Sequence, residues 1–561
     1  MKKIISFMLA ASMMLSLFAG CSSGNSPESS ELSKASKPES VADSAADSSE
    51  EISSEAPAAD GSYTDYSDGF TEDVVLEIPV FERAYEGWNV SDNYYTRWVQ
   101  SEFGDKYNIT VKFVPITRQS QVADFQQLLA SHQAPAVIFH YDMPQALAFY
   151  GEGVMQPLDY DEISYYAPTY WDNLGDTIQQ YGSVDGEQTF FFAERPYLTN
   201  DNVVTVIRKD WVEKVGMKME DLTSLEVFNE MLLKWKDAGL GKNGYRLIAN
   251  SYTYNYRYRD WPVDEEYHAL YSDLAVADFD TIATERFLKD MNTQYNNGVF
   301  DPEFYLRDEP GKTLTEFVAG RTGVIELTLG SNDETFAQVL ANDPAAEFAA
   351  LSPSALTPEG LVPQSRAFWP FGMIMGVNYE ATEQQRAALW MYLEWMSQPD
   401  NLFMFQNGVE GENYTLDDSG FAIKNSDYNG DAVLSQNNNK DYWCLVTESA
   451  MYADEELNEK ANIQNWAPAG YEYIIEDNIR FSAENKQYTQ PDALYSVVLE
   501  KLSEYKADLN NLWQELYVQC IICPAEEFEA VYEKAKETYT DAGYQEILDE
   551  KQAAIDAGSY K

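Results

Sequence analysis

The strongest constraint on the fold is an alternation of strand and helix patterns that begins at Val74. The pattern runs strand, helix, strand, helix, strand over residues 74–81, 92–103, 109–113, 122–129 and 135–139. This order predicts βαβ units and a parallel sheet. Ligands of open α/β sheets bind beyond the carboxyl ends of the strands. The residues that follow two of these strands are therefore candidates for a binding site. They include Trp88, Tyr141 and Asp142, although a tryptophan in a loop can equally anchor that loop.

Residues 366–420 predict a chain that passes between two lobes. The apolar run that opens this stretch contains a proline and two glycines, as expected of an extended segment that another backbone or a ligand approaches closely. A capping box at residues 382–385 then predicts a helix, and glycine-rich turns follow it. We expect the segment to cross between lobes, to pack its helix on the first lobe and to cross back. The side chains at these two crossings, Trp369, Phe371 and Glu410, would then line a cleft.

Two further stretches contain candidate contacts. Residues 196–202 are polar and rich in turn-forming residues, and we expect an earlier crossing there, with Asn200 available to a ligand. Residues 251–261 are unusually aromatic and end at Trp261. Their alternating tyrosines predict either one face of a strand or a loop that faces a sugar.

The N-terminus predicts export and a lipid anchor. Lys2 and Lys3 precede an apolar run of roughly 15 residues, which is shorter than the ~20 needed to span a bilayer. The run ends in small residues followed by Cys21, and this resembles a bacterial lipobox, whose cysteine is acylated. An ordinary signal peptide with a chance cysteine is the alternative. Residues 22–71 are rich in Ser, Ala, Glu and Asp, so we expect a disordered tether there.

Composition excludes several classes of function. The formal net charge is −55, from 93 acidic and 38 basic side chains in 561 residues. Such a chain repels phosphate backbones, so we expect no nucleic-acid partner. The sequence has three histidines and no G-x-S-x-G or H-E-x-x-H motif, which leaves little material for a nucleophilic or zinc enzyme. With so many carboxylates, acid pairs arise by chance and do not by themselves indicate a glycosidase.

The four cysteines are too few for a disulfide framework. Cys520 and Cys523 have C-x-x-C spacing, which occurs in redox sites and in halves of zinc sites. Their apolar surroundings favour a third interpretation, two buried thiols. Cys444 has no evident partner.

Aromatic side chains are abundant, with 39 Tyr, 27 Phe and 12 Trp. Planar rings stack on the apolar faces of sugars, and binding sites combine such apolar walls with a few placed polar groups. Several stretches, in order, resemble the family-1 extracellular solute-binding lipoproteins of bacterial ABC importers, in the branch that handles oligosaccharides. They are residues 17–21, 153–159, 207–216, 297–304, 320–325, 376–378 and 408–420.

The resemblance implies an α/β, two-lobed periplasmic-binding-protein fold of type II, with a hinge between the lobes that closes on ligand. It implies a substrate-binding component that delivers an oligosaccharide to the permease subunits of an ABC transporter and catalyses nothing. Many relatives carry a calcium-type loop, but residues 236–244 lack the alternating oxygen ligands, so we expect no metal there and no cofactor. We expect a monomer, lipid-anchored on the outer face of the cytoplasmic membrane of a Gram-positive-type bacterium.

These expectations divide the chain into a signal peptide, a tether and two lobes. The signal peptide is 1–21, the tether 22–71, the first lobe 72–198 and 369–408, and the second lobe 199–368 and 409–561. The expected ligand contacts are Trp369, Phe371, Glu410, Trp88, Asp142, Tyr141, Asn200, Arg366, Trp261 and Trp443, with Cys21 as the lipidation site. A packed core position is the alternative for any single ring. The alternatives for the whole chain are a secreted glycoside hydrolase and a binding protein for peptides or another solute.

Overall fold

A computed structural model of the chain describes residues 63–82, 88–197, 199, 203–241, 257–260, 267–272, 275–299, 302–306, 312–329, 334–434, 436–449, 452 and 454–560. The strands are β1 (Val74–Phe81), β2 (Ile109–Ile116), β3 (Val137–His140), β4 (Ser183–Val184), β5 (Glu187–Gln188), β6 (Phe191–Glu194), β7 (Val203–Arg208), β8 (Val324–Thr328), β9 (Phe348–Ala350), β10 (Ser365–Ala367), β11 (Phe371–Val377), β12 (Tyr414–Leu416), β13 (Ala422–Lys424) and β14 (Thr489–Pro491).

The helices are α1 (Tyr94–Val99), α2 (Asp105–Tyr107), α3 (Gln121–Ala130), α4 (Met143–Gly151), α5 (Tyr160–Tyr166), α6 (Pro168–Tyr181), α7 (Lys209–Lys214), α8 (Leu225–Asp237), α9 (His268–Tyr271), α10 (Ile282–Asn296), α11 (Lys312–Val318), α12 (Thr335–Asn342), α13 (Glu383–Met396), α14 (Pro399–Asn407), α15 (Gln436–Trp443), α16 (Glu455–Trp466), α17 (Glu472–Asn485), α18 (Glu500–Ile522), α19 (Phe528–Tyr539) and α20 (Gln545–Asp556).

Local sequence explains how several helices begin. The predicted capping box of α13 is confirmed, with the Gln385 backbone N–H donating to Thr382 Oγ1 at 3.2 Å. Asn93 caps α1, because its side chain accepts from two backbone N–H groups of the first turn.

The first lobe contains two sheets, a parallel pair and an antiparallel set of three strands. As the alternating pattern predicts, β1 and β2 pair in parallel, with Val74 opposite Ile109. The third strand differs, because β3 pairs antiparallel with β11, which also pairs antiparallel with β6. All seven residues of β11 are buried, consistent with its apolar sequence. Residues 70–193 and 371–446, joined by Leu494, supply the hydrophobic core of this lobe.

The second lobe is built around β7, which pairs antiparallel with β8 on one side and β9 on the other. Buried residues from 207–356 and 493–554 form one core, in which α10, α18 and α19 take part. A smaller core from 204–350 and 466–475 covers the other face of β7.

Within the described residues, and apart from Leu494, the chain passes three times between the core of the first lobe and the cores of the second. The first passage lies between β6 and β7, where the sequence predicts a crossing, and the second lies between β10 and β11. The third follows Val446, because residues 442–446 still belong to the first core. That point is later in the chain than the lobe boundary expected at residue 408.

Candidate ligand site at the hinge

The three passages are hydrogen-bonded to one another at one place, which we call the hinge junction (residues 194–197, 368–372 and 446–449). Glu194 forms a parallel bridge with Thr447, and the Glu448 backbone N–H donates to Glu194 O at 2.9 Å. The Arg195 backbone N–H donates to Pro370 O at 3.0 Å. A movement of one lobe against the other therefore acts on all three segments together.

The side chain of Glu448 lies at the centre of the hinge junction, with 5% of its side chain exposed. Arg195 Nε donates to its carboxylate at 2.9 Å, and the Tyr197 hydroxyl donates to the same oxygen at 2.8 Å. Burial alone would raise the pKa of Glu448, but Arg195 and Lys440 outweigh it and hold the pKa below its usual value. Position 372 must be glycine, because a Cβ there would lie 2.0 Å from Glu448 Oε1.

Beside the junction is a cavity of about 220 Å³, which we call the hinge pocket. Its walls come from both lobes and from the passages between them. They are Tyr141, Asp142, Met143, Pro144, Arg195, Ala275, Arg366, Phe368, Trp369, Phe371, Gly372, Ile374, Asp492, Ala493, Leu494 and Lys506. A solute held here would touch both lobes, which is the geometry needed for binding to favour a closed state.

The hinge pocket brings together half of the residues expected to contact a ligand. Tyr141, Asp142, Arg366, Trp369 and Phe371 all line it. Three others lie elsewhere. Glu410 forms an isolated bridge with Tyr414, Trp88 packs against the edge of Tyr442, and Trp443 is buried in the first core. Asn200, Trp261 and Cys21 lie outside the described residues.

The aromatic wall of the pocket is held in place by charged and polar neighbours. Phe368 lies between two guanidiniums, with Arg195 at 4.3 Å and Arg366 at 5.3 Å from its ring centroid. The indole Nε1–H of Trp369 donates to Asp492 O at 3.1 Å, and its ring packs against Tyr181. These contacts fix the orientation of both rings, so little rotamer entropy is lost when a ligand stacks on them.

The charges of the pocket are balanced. Arg366 Nε donates to both oxygens of Asp492, at 2.7 and 2.9 Å. Arg195 is neutralised by Glu448, and Lys506 and Asp142 are the remaining charged residues of the wall. Counting Glu448 behind the wall, the pocket has three basic and three acidic side chains, so its formal charges sum to zero.

Asp142 lies at the carboxyl end of β3, as the sheet argument predicts, and directly precedes α4. Its backbone N–H donates to His140 Nδ1 at 3.0 Å, which assigns the acceptor role to that nitrogen. Burial lowers the pKa of His140, Lys506 acts in the same direction, and Asp142 opposes both. The carboxylate of Asp142 is 63% exposed and available to a solute.

Four charged or aromatic residues of the site were not predicted from the sequence: Arg195, Phe368, Asp492 and Lys506. Phe368 stands next to the predicted Trp369, and Arg195 directly precedes the predicted first crossing. Both positions were therefore a sequence signal for a place in the site. Asp492 and Lys506 carried no such signal. Asp492 follows β14, which pairs with β10 more than a hundred positions earlier in the chain, and Lys506 lies on α18.

A larger concave surface, about 930 Å³, lies on the second lobe against β9 and α17. It is lined by residues of that lobe alone, among them Tyr471, Tyr473 and Arg480. Lobe closure would not reshape such a groove, so it is less suited to a receptor that must signal occupancy.

The predicted burial of Cys520 and Cys523 is confirmed, and Cys444 is buried as well. All three are free cysteines. Burial raises the pKa of Cys444 and of Cys520 to about 12, so neither is a reactive thiolate at neutral pH. Among the described residues, no group of His, Cys, Asp and Glu is arranged to hold a metal ion. The loop that lacks calcium ligands runs partly outside those residues.

The fold and the hinge pocket define a two-lobed binding protein of the solute-receptor class. The chain belongs to the bacterial extracellular solute-binding protein family, whose model matches residues 98–407. This confirms the resemblance drawn from the sequence. No curated protein sequence matches the chain. Within the described residues, no helix is both long and apolar enough to cross a membrane.

Solved structures share the fold at low sequence identity. Alginate-binding protein AlgQ2 without calcium ion superposes with a TM-score of 0.59 at 14% identity, covering 88% of this chain and 100% of that chain. The S. pneumoniae binding protein FusA, an EF-hand mutant in complex with fructo-nystose, gives 0.58 at 12% identity over 86% and 99%. A solute-binding protein of Bifidobacterium longum infantis, described as binding human milk oligosaccharides (HMO), gives 0.55 at 12% identity over 87% and 100%.

Proposed function

We propose that this protein captures a neutral oligosaccharide in the hinge pocket and delivers it to the permease of an ABC importer. The observation that carries the proposal is the composition of the pocket wall. It combines oriented aromatic rings, Phe368 and Trp369, with two guanidiniums that are each paired with a carboxylate and with formal charges that sum to zero. An anionic ligand would need an unmatched cation, whereas a neutral sugar needs stacking surfaces and hydrogen-bonding groups.

The ligand extends beyond the hinge pocket. A volume of about 220 Å³ is smaller than the ~300–1,000 Å³ typical of sites that enclose a whole ligand. The pocket therefore holds one end or one unit of a longer chain, with Trp369 and Asp142 as the main contacts. Trp88, Glu410, Trp443, Asn200 and Trp261 remain candidates for contacts with the rest of it. Proteins of the same fold that bind fructo-nystose or milk oligosaccharides support this ligand class.

The protein acts as a receptor and catalyses nothing. Glycoside hydrolases use two carboxyl groups on either side of the scissile bond. In the hinge pocket Asp492 gives both oxygens to Arg366, which leaves Asp142 as the one acidic wall residue without a guanidinium partner in the pocket. A peptide-binding receptor is the second candidate, and no contact of the pocket favours it.

A glycan panel tests the function. The probes are kestose, maltotriose and lacto-N-tetraose as neutral glycans, a mannuronate trimer as an anionic one, and a tripeptide. We expect a higher unfolding temperature with at least one neutral glycan, no shift with the mannuronate trimer or the tripeptide, and recovery of intact glycan by mass spectrometry. Shortened glycan would indicate a hydrolase, and a shift with the mannuronate trimer alone would contradict the neutral-ligand proposal.

We further propose that acylated Cys21 anchors the protein on the outer face of the cytoplasmic membrane, with residues 22–71 as a tether that lets a monomer reach the permease. Fractionation of a Gram-positive host tests the anchor. The wild-type protein should remain with membranes and incorporate labelled palmitate, and Cys21→Ala should lose both properties. Membrane retention of Cys21→Ala without label would contradict acylation at this cysteine.

A further inference from the structure

Strands β10 and β14 form a two-stranded parallel ribbon at the edge of the hinge pocket, with Arg366 opposite Gln490. Alternate residues of a strand point to the same face. Gln364 therefore shares a face with Arg366, and Gln490 shares it with Asp492. Arg366 and Asp492 line the hinge pocket, and the two glutamines lie next to them along the ribbon, buried and not among the residues that line the pocket.

The two glutamines are almost completely buried, with 2% of Gln364 and 6% of Gln490 exposed. Gln364 Nε2, Gln364 Oε1 and Gln490 Nε2 have no hydrogen-bond partner among the residues that the structure describes. Native proteins leave few buried polar atoms unpaired, and each one that remains calls for an explanation. The neighbouring Arg366 and Asp492 differ, since they satisfy each other.

The unpaired atoms favour one kind of ligand. A primary amide offers both N–H donors and a carbonyl acceptor, and a sugar hydroxyl likewise donates and accepts. A charged ligand would gain little here, because both charges of the ribbon face are already paired. We propose that Gln364 and Gln490 form a hydroxyl-recognition subsite that continues the hinge pocket along the ribbon. The subsite rests on the proposed binding of a neutral glycan and adds two specificity-determining residues to it.

Methionine substitution tests the subsite, because Gln→Met keeps the length of the side chain and removes the amide. Gln364→Met and Gln490→Met are compared with the wild type by calorimetric titration with kestose, maltotriose and lacto-N-tetraose, and by the unfolding temperature without ligand. We expect an affinity at least tenfold lower in either variant, with an unfolding temperature that is unchanged or higher. Removing an amide that has no partner costs the unliganded fold nothing.

Gln121→Met is the matched control. Gln121 is also buried, but its Nε2 donates to Phe139 O at 2.7 Å, and it belongs to α3 and not to the ribbon. This variant should unfold at a lower temperature and keep the affinity of the wild type.

Two results would contradict the proposed subsite. The first is an unchanged glycan affinity in both ribbon variants, at any unfolding temperature. The second is a loss of affinity together with an unfolding temperature as low as that of Gln121→Met. It would mean that the amides stabilise the folded protein and do not contact the ligand. If the wild type binds none of the three glycans, the proposed function fails first and the subsite fails with it.

Discussion

Trp369 joins the aromatic wall of the hinge pocket to the ribbon behind it. Its indole nitrogen donates to Asp492 O, and Asp492 in turn holds Arg366. The ring is half-buried and packs beside Tyr181, so one face is supported while part of the ring reaches the pocket. An aromatic side chain held in this way is the kind of residue that carries most of the energy of a binding site.

We expect Trp369→Ala to weaken binding of the neutral glycan by at least tenfold, about 1.4 kcal/mol or more, because the stacking surface is lost. Calorimetric titration with the best glycan of the panel measures this. Tyr473→Ala is the control, since Tyr473 is an exposed ring of the larger groove on the second lobe. If Tyr473→Ala weakens binding and Trp369→Ala does not, the glycan occupies the groove instead.

Single residues also show what the sequence could and could not predict. The position of Tyr141 and Asp142 followed from strand order, because the carboxyl ends of strands in an α/β sheet are where ligands bind. Gln364 and Gln490 could not be found in the same way. Nothing in their neighbours reveals that β10 and β14 pair, since that pairing closes a loop of more than a hundred residues.

At the scale of elements, apolar runs and capping residues predicted much of the first lobe, including β1, β2, β3 and α13. Pairing was less predictable. The alternation of strands and helices predicts a parallel sheet, yet β3 takes β11 as an antiparallel neighbour. Strand β11 follows the first part of the second lobe in the chain, so local patterns hold no information about where it inserts in the first lobe. The hinge junction depends on the same long-range insertion.

The hinge junction leads to a prediction about pH. Glu448→Gln leaves Arg195 without its carboxylate, and breaking such a buried pair destabilises by about 3 kcal/mol at neutral pH. Because the folded pKa of Glu448 is lowered, its contribution is present above the usual glutamate pKa of ~4.3 and is lost as the pH falls through the folded value. Urea unfolding should therefore show a difference between wild type and variant that is large at pH 7 and shrinks on acidification.

The control for this measurement is Asp92→Asn. Asp92 pairs with Arg97 on the surface, where the two side chains are 70% and 59% exposed. Exposed ion pairs contribute little to the free energy of unfolding, so this variant should have the stability of the wild type at every pH. A Glu448→Gln variant that behaves in the same way would mean that the carboxylate does not stabilise the junction.

The loop after α8 leads to a prediction about calcium. In this chain α8 ends at Asp237, and residues 238–244 offer few carboxylate or amide oxygens at alternating positions. We expect the unfolding temperature to be the same in calcium and in a chelator. A higher unfolding temperature in calcium would show that a metal binds, and mutation of Asp237 would then locate it.

At the scale of the whole molecule, the arrangement of the lobes couples occupancy of the pocket to the relative position of the two lobes. The pocket wall includes Phe371 from the first core and Ala493 from the second, and the hinge junction connects the lobes behind it. A ligand that touches both walls gains contacts when the lobes approach, so it binds the closed state more tightly and shifts the population towards that state. Such a shift is the means by which a permease could distinguish a loaded receptor from an empty one.

We therefore expect the neutral glycan to lower the radius of gyration measured by small-angle X-ray scattering, and to slow amide hydrogen exchange at residues 194–197, 368–372 and 446–449. Glycan at a hundred times its dissociation constant should also stabilise the fold by about 2.7 kcal/mol. Trp369→Ala at the same glycan concentration should show smaller changes in all three, since fewer molecules are occupied. Stabilisation with an unchanged radius and unchanged exchange at the junction would mean that the glycan binds to one lobe alone. In that case the contacts of the pocket with the second lobe would not be part of the binding mechanism.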